Sequence, residues 1–171
     1  ESDIVISSRI RLARNFADFP FIRKCSEQDR AAVESQLRAA IEGEKSWDNL
    51  TYIDVDMLSE VDRQFLVERQ LISREHADAR GARAVAIDPN EQFSLMINEE
   101  DHLRIQVMKS GLDLPAAWEQ VDQIDDLLER SITFAFHPSL GYLTACPTNV
   151  GTGMRVSVML HLPALVITRQ I

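Results

Sequence analysis

The amino-acid sequence predicts one α+β domain, residues 1–171, with a largely antiparallel β-sheet flanked by helices. Alternating apolar and polar stretches follow one another across short turns, which is typical of β-hairpins. The longer stretches with helical spacing are grouped between these runs, so they do not supply the regular crossovers of a parallel sheet. We expect the helices to lie on one side of the sheet. A chain of 171 residues is long enough to bury a core without disulfides or metals.

The first half of the chain is predicted to begin with a strand and to continue mainly with helices. SSRIRLAR, near the N-terminus, alternates as a strand. Serine precedes the predicted helices, and acidic residues follow in the first turn, as at N-terminal caps. The remaining elements are a helix from Ser26 to about Glu42, a strand at 50–55, a helix at 59–72 and a short helix from Ser73.

The second half is predicted to hold most of the sheet and one long helix. Strands at 83–88 and 92–98 flank the turn DPNE and are followed by a third strand at 101–109. From Pro115, apolar positions recur at helical spacing until His137 ends the helix. The last elements are two strands, GYLTACP and MRVSVMLHL, around the turn TNVGTG, and then a helix from Pro163.

Composition limits the classes of function. Cys25 and Cys146 are far apart and show neither disulfide nor zinc spacing, which favours a reducing compartment. No apolar run is long enough for a membrane span, and the N-terminal stretch lacks the apolar core of a signal peptide. The formal net charge of −9 disfavours binding to nucleic acid. We therefore expect a soluble, cytoplasmic protein that contacts neither membrane nor nucleic acid.

A cluster of arginines near the N-terminus is a candidate anion site. On an alternating strand Arg9 and Arg11 project from the same face, and Arg14 follows closely. Guanidinium groups side by side bind an anion strongly. The alternative is the solvated face of an edge strand, where charged side chains block pairing with other chains. The cluster alone leaves both interpretations open.

Two further stretches carry candidate chemistry. Glu99, Glu100 and Asp101 form an acidic run after the apolar stretch SLMI, and such a run is either a solvated turn or a cation site. Later in the chain, Cys146 precedes a GTG turn and Arg155. This arrangement indicates either a buried thiol on a hairpin or a reactive thiol beside a phosphate site.

Three motifs, SSRIRLARN, INEEDHLRIQ and ACPTNVGTGMRVSVMLHLP, occur in this order. Together they resemble the ATP:guanido phosphotransferase family, which includes creatine kinases, arginine kinases and bacterial protein arginine kinases. SDIVISSRIRLARN and SVMLHLPAL are most similar to the protein arginine kinases. The resemblance covers essentially the whole chain and implies the glutamine synthetase-like fold of the guanido kinase catalytic domain.

The resemblance also implies an ATP site. Its phosphate-binding arginines correspond to Arg9, Arg11, Arg104 and Arg155. Gln70 stands where many relatives have a histidine that contacts adenine. The further residues expected along the nucleotide are Ser7, Ser8, Ile10, Gln70, Val156, Ser157, Val158 and Met159.

Three catalytic roles are implied by the same resemblance. Glu99 is expected to hold Mg²⁺ through water, because that ion gives up its hydration reluctantly. Glu100 is expected to align the substrate guanidinium and to take its proton as the N–P bond forms. Cys146 is expected to lie beside the guanidinium as a thiolate and not to act as a nucleophile, with the Thr148 hydroxyl nearby.

The implied function is ATP-dependent phosphorylation of arginine side chains in proteins, which marks clients for Clp-type proteolysis. Expected partners are these protein substrates, Clp components, an activator or adaptor and, in the full-length protein, a second copy. Two alternatives stay open: a kinase of a free guanidino compound, and a nucleotide- or phosphoarginine-binding module without catalysis. Family members also continue beyond the position of Ile171, so we expect these residues alone to show weak kinase activity or none.

Overall fold

The sheet of the computed structural model, which describes residues 4–170, is antiparallel throughout and confirms the predicted fold class. Residues 1–3 and 171 of the predicted domain lie outside the described residues. The strands are β1 (Val5–Arg14), β2 (Thr51–Asp54), β3 (Ala84–Ile87), β4 (Phe93–Ile97), β5 (Leu103–Ser110), β6 (Phe136–His137), β7 (Gly141–Tyr142) and β8 (Met154–Leu160). Six of them form the main sheet in the order β2-β3-β4-β5-β1-β8, and β6 and β7 form a separate two-stranded sheet.

The helices largely begin where the sequence predicts. They are α1 (Glu27–Gly43), α2 (Glu60–Glu68), α3 (Arg74–Asp78), α4 (Leu114–Glu129) and α5 (Pro163–Ile167). At the start of α1, the Ser26 hydroxyl accepts from the Asp29 N–H, and the Asp29 carboxylate accepts from the Ser26 N–H. This reciprocal cap satisfies two N–H groups that the first turn leaves unpaired. Among the described residues, no helix combines the length and the apolarity needed to cross a membrane.

Helices cover both faces of the sheet, so the expectation of helices on one side is wrong. Helices α1 and α4 pack on one face, where Leu37 and Val121 join Leu95 in the larger core. Helices α2 and α3 pack on the opposite face of β3 and β4, through a second core that includes Leu66 and Met96. All four residues of β3 are buried, because both faces of this strand are apolar and both need cover.

Helix α2 and helix α4 both end earlier than predicted. Gln70 adopts a left-handed conformation with φ 61° just after α2, so the chain cannot continue as a helix to residue 72. Helix α4 ends at Glu129, although Ile132 and Phe134 beyond it remain buried in the core. The apolar residues after Glu129 belong to the segment that follows the helix. They resemble a continuation of the helical pattern because this segment buries them in the same core.

The predicted hairpin around TNVGTG does not form. Strand β7 covers only Gly141–Tyr142 and pairs with β6, whereas β8 pairs with β1 along most of its length. A single bridge joins Tyr142 of the first predicted hairpin strand to Gly151, which lies within the predicted turn and not in the second strand. Pro147 lacks an N–H and opens a short 3₁₀ turn at Pro147–Asn149, so this segment offers no continuous ladder to β8. Strand β1 is consequently an interior strand, which excludes the edge-strand interpretation of its arginines.

Candidate active site

Four arginines on three adjacent strands face the side of the sheet that lies opposite α1 and α4. Arg11 on β1 lies opposite Arg155 on β8, and Arg9 precedes Arg11 by one strand repeat. Arg104 projects from the neighbouring strand β5. Arg11, Arg104 and Arg155 line one cavity of about 560 Å³. The strand pairing of β1 with β5 and β8, which are distant in sequence, thus brings the predicted phosphate-binding arginines together.

The electrostatics of this cluster favour an anion. Burial, followed by the charges of Arg9, Arg104 and Arg155, lowers the pKa of Arg11 to about 10. Burial also lowers the pKa of Arg9, followed by the effects of Arg155 and Arg104. The positive charges of the four guanidinium groups repel one another. A polyanion such as a nucleotide phosphate chain would relieve this repulsion.

The acidic run closes one side of the cavity. Glu99 is only 9% exposed, so the interpretation of this run as a solvated turn is excluded for this residue. Arg104 donates from Nη1 to Glu99 Oε1 at 2.8 Å and from Nη2 to Glu100 Oε2 at 3.2 Å. The Glu100 side chain remains 39% exposed and lines the cavity. Arg104 therefore holds both carboxylates beside the arginine cluster.

Cys146 lies in the same cavity as Glu99 and Glu100. Its Sγ is 3.0 Å from the Thr148 hydroxyl oxygen, in the short turn that Pro147 opens. Cys146 is partly exposed and lines the cavity, so its thiol is not buried as the alternative interpretation requires. Cys25, in contrast, donates to the Pro20 carbonyl at a separate place.

Glycine at the start of β8 permits the close approach of that strand to β1. Gly153 has φ +65°, and a Cβ at this position would lie 2.6 Å from the Ala13 carbonyl oxygen. It would also lie 2.6 Å from Nη1 of Arg14. Because Gly153 has no side chain, Ala13 N–H donates to its carbonyl at 2.8 Å and the strands begin to pair.

A groove continues from the cavity along β1 and β8. Its lining includes predicted nucleotide residues, namely Ser7, Arg9, Gln70, Ser157, Val158 and Met159. The Arg9 Nε donates to the Ser157 hydroxyl at 3.3 Å, which orients the guanidinium. Gln70 reaches across the groove and its Nε2 lies 3.8 Å from the Met159 sulfur.

Four predicted nucleotide residues have side chains on the other face of the sheet. Ser8 is fully buried, and its hydroxyl accepts from the Asp113 N–H at 3.1 Å, ahead of α4. Ile10 belongs to the larger core, and Val156 and Val158 on β8 are the register partners of Ile10 and Ser8. Strand alternation is the reason, since neighbours of Arg9 and Arg11 must point away from the groove. These four residues have only backbone groups to offer a nucleotide.

Sequence reasoning missed three residues that organise the site. The Ser73 hydroxyl donates to Glu99 Oε1 at 2.6 Å and also accepts from the His76 N–H at the start of α3. Asn15 and Asp101 are buried and hydrogen bond to each other. The sequence predicts Ser73 only as a helix cap, because a single sequence carries no sign of its contact with Glu99. The position of Asp101 beside Glu100 was visible, but its partners are distant in sequence.

No group of three or more His, Cys, Asp or Glu side chains suitable for a metal occurs within residues 4–170. The carboxylates nearest the arginines are Glu99 and Glu100, and both contact Arg104. Such a set fits Mg²⁺ that arrives with phosphate and keeps most of its water, because this ion is commonly bound through few protein carboxylates. A metal site built from protein groups alone does not fit these residues.

Comparison with known families agrees with this geometry. Residues 32–171 match the family model of the ATP:guanido phosphotransferase C-terminal catalytic domain. The chain therefore belongs to the ATP:guanido phosphotransferase family.

Its relatives among curated proteins include protein-arginine kinases. The enzyme of Symbiobacterium thermophilum is 52% identical across 99% of this chain and 49% of that protein. The enzyme of Halothermothrix orenii is 50% identical across 100% of this chain and 49% of that protein. The chain thus spans about half the length of these curated relatives.

Solved structures of guanidino kinases share the fold. A taurocyamine kinase from Schistosoma mansoni, with bound transition-state-analogue components, superposes with a TM-score of 0.89 at 28% identity. That match covers 99% of this chain and 25% of the kinase. A lombricine kinase superposes with a TM-score of 0.84 at 26% identity, over 98% of this chain and 50% of that structure.

Proposed function

We propose that this chain is the ATP-binding and catalytic part of a protein arginine kinase, which transfers the γ-phosphoryl group of ATP to arginine side chains. The observation that carries the proposal is one cavity in which Arg11, Arg104 and Arg155 face Glu100 and Cys146. One side of the cavity suits a phosphate chain, and the other suits a guanidinium. The curated relatives named protein-arginine kinase support the choice of acceptor.

The arginine cluster is suited to phosphoryl transfer. In this reaction most of the catalysis comes from positioning and from stabilising charge on the transferred group. Arg9 and Arg11 are fixed on an interior strand, and Ser157 orients Arg9. Fixed donors of this kind need little rearrangement as charge develops on the phosphoryl oxygens. Mg²⁺ carried by ATP would add charge neutralisation, with Glu99 as the carboxylate that contacts its water.

The acceptor sets the main chemical difficulty. A guanidinium has a pKa above 12, and removing its proton beforehand at neutral pH would cost more than about 7 kcal/mol. Glu100 reaches the cavity with a partly exposed carboxylate. It aligns the guanidinium and takes the proton while the N–P bond forms, so a free guanidine never has to accumulate.

Cys146 contributes a second contact to the acceptor. Its sulfur lies in the cavity and touches the Thr148 hydroxyl. In the anionic form it attracts the substrate guanidinium and orients it, while the phosphoryl group passes directly from ATP to nitrogen. No covalent phosphocysteine is needed.

The wider roles follow the resemblance to bacterial protein arginine kinases. The proposal includes cytoplasmic action, phosphoarginine as a mark for Clp-type proteolysis, an activator or adaptor, and dimerisation of the full-length protein. The formal net charge of −9 suits clients that present basic residues.

Phosphate transfer to a basic protein substrate by the full-length protein tests this function. We expect incorporation of label from γ-labelled ATP, and Glu100→Ala should reduce the rate by at least about 100-fold, as for loss of a general base. Glu119→Ala, at an exposed position of α4, is the matched control and should retain the wild-type rate. Equal activity of Glu100→Ala and wild type would contradict the assignment.

Two outcomes would favour the alternatives. The structural likeness to taurocyamine and lombricine kinases makes a free guanidino compound the second candidate substrate. Efficient phosphorylation of free arginine, with no transfer to protein, would show that the protein is a kinase of a free guanidino compound. ATP binding by calorimetry without any transfer in the full-length protein would select a non-catalytic module.

A further inference from the structure

We propose that Asp101 and Asn15 are positioning residues that fix the segment carrying Cys146 relative to Glu100. This inference rests on the proposed function, because it assigns how the two acceptor-binding groups of that site are held together. Asp101 follows Glu100 directly in sequence. Its carboxylate reaches the backbone of Ala145, the residue before Cys146.

The contacts of Asp101 form a short, buried link between the two parts of the site. Its Oδ1 accepts from the Ala145 N–H at 2.6 Å and from Asn15 Nδ2 at 2.6 Å. The residue is 0% exposed. Placing a carboxylate there is costly unless its hydrogen bonds make up the loss of water. These contacts account for a buried carboxylate that does not line the cavity itself.

Asn15 extends the link in two further directions. Its Nδ2 also donates to the Leu143 carbonyl at 3.1 Å, and its Oδ1 accepts from the His102 N–H at 3.0 Å. The side-chain amide of Asn15 therefore binds three groups: the backbone of Leu143 before Cys146, the carboxylate of Asp101 and the backbone of His102. Asn15 itself lies just after β1, next to the strand that carries Arg9 and Arg11.

The other end of the Cys146 segment is attached to the same end of β1. Arg14 donates to the Thr152 carbonyl at 3.0 Å, and its guanidinium carbon lies 3.6 Å from the centre of the Tyr142 ring. Asp125 on α4 holds Arg14 through a salt bridge of 2.6 Å. The segment between Tyr142 and Thr152 is thus attached at both ends, and Asp101 is its attachment nearest the thiol.

The unused oxygen of Asp101 provides a way to separate geometry from charge. Among the described residues, Asp101 Oδ2 has no hydrogen-bond partner. Asp101→Asn keeps an oxygen at the position of Oδ1 and puts its amide nitrogen where Oδ2 was, so both existing bonds can persist. Asp101→Ala removes both bonds. A positioning role predicts that asparagine substitutes for aspartate and that alanine does not.

The test uses the full-length protein with two measurements. The first is steady-state phosphorylation of a basic protein substrate, with kcat and the KM for ATP measured separately. Asp101→Ala should lower kcat by about 100-fold, because a small displacement of a reacting group has effects of that order. The KM for ATP should change by less than about threefold, because the arginines lie on strands that keep their pairing. Asp101→Asn should stay within about threefold of wild type in both.

The second measurement is the rate of Cys146 alkylation by iodoacetamide, followed on the Cys146 peptide by mass spectrometry. Asp101→Ala should raise this rate at least about threefold, because the segment is released and the thiol becomes more accessible. Asp101→Asn should match wild type. Asp122→Ala, on the exposed side of α4, is the control and should leave both measurements unchanged.

If Asp101→Ala does not fold, Asn15→Ala takes its place, since it leaves the bond between Asp101 and Ala145 but removes the other contacts. It should lower kcat about 10-fold and raise the alkylation rate. The inference is overturned by an unchanged kcat in the alanine variants, by an unchanged alkylation rate, or by equal losses in Asp101→Asn and Asp101→Ala. If the wild type transfers no phosphate to arginine, the proposed function fails, while the alkylation rates still decide the positioning role.

Discussion

Arg155 illustrates how a single guanidinium contributes to the site. It is exposed on β8 and lies opposite Arg11, so its charge adds to a cluster whose members already repel one another. A charge-assisted hydrogen bond contributes about 1.5 to 3 kcal/mol. Arg155→Ala should therefore raise the Kd for ATP by at least about 10-fold in calorimetry. Arg130→Ala, at an exposed position after α4, should leave the Kd unchanged; equal Kd values for all three proteins would contradict the assignment.

Replacing Cys146 should lower kcat and leave the affinity for ATP unchanged, whereas replacing Arg155 should weaken ATP binding. The Cys146 sulfur hydrogen bonds with Thr148, and Cys146 lines the same cavity as Glu100, the residue proposed to bind the acceptor. A serine hydroxyl at this position does not ionise near neutral pH, so Cys146→Ser should lower kcat by at least about 10-fold while the Kd for ATP stays within about twofold. Rapid kinetics and calorimetry on the same samples compare the two. A weaker ATP affinity with normal kcat would show that the thiol belongs to the nucleotide side.

His76 makes the stability of the protein depend on pH. It is fully buried, and burial lowers its pKa to about 4. The unfolded chain, with a histidine pKa of about 6.5, therefore takes up a proton before the folded protein does. The contribution of neutral His76 to stability is therefore complete above about pH 6.5 and is lost progressively as pH falls from there toward 4. The expected loss is about 3 kcal/mol.

Urea unfolding at several pH values checks this dependence. His76→Gln should show a smaller loss of unfolding free energy than wild type between pH 6.5 and 4, although its stability at pH 7 is lower. Exposed His137→Gln should retain the wild-type dependence. If His76→Gln and wild type lose the same free energy over this range, His76 is not the group responsible.

At the scale of elements, the turn at Gly153 governs how β8 joins the sheet. A methyl group there would meet the Ala13 carbonyl at 2.6 Å, and the left-handed φ adds strain. Gly153→Ala should lower the free energy of unfolding by more than about 2 kcal/mol. At Gly43, near the end of α1, a methyl group would meet nothing within 4 Å, so Gly43→Ala should be neutral or stabilising. Urea unfolding of both variants checks the difference, and equal effects would contradict it.

The elements also show what local sequence can and cannot predict. Ser26 and Asp29 form the N-terminal cap of α1 and are three residues apart, so the start of this helix can be predicted from local sequence. The pairing of β8 with β1 joins residues such as Arg11 and Arg155 that are far apart in the chain. Turn residues between Cys146 and Met154 resembled a hairpin loop, and nothing local showed that the partner strand lay elsewhere. The motifs predicted the arginines because each lies within one continuous stretch of sequence. The contacts of Ser73, Asn15 and Asp101 join distant segments, so only the structure shows them.

At the scale of the whole molecule, the two faces of the sheet differ in what they contact. One face packs against α1 and α4 and holds the larger core. The central part of the other face carries the four arginines, with α2 and α3 covering only the neighbouring strands β3 and β4. Alternation of side chains along β1 makes both possible, because Ile10 and Leu12 enter the core while Arg9 and Arg11 face the groove. The stable core thereby fixes the positions of the charged groups that face the groove.

The central claim is that the acceptor of the phosphoryl group is the side-chain nitrogen of arginine in a protein. Mass spectrometry of a client phosphorylated by the full-length protein, handled at neutral pH, locates the modified residue most directly. The account predicts phosphate on arginine, lost after brief acid treatment because the N–P bond is acid-labile, and absent with Glu100→Ala. Acid-stable phosphate on serine, threonine or tyrosine would contradict it.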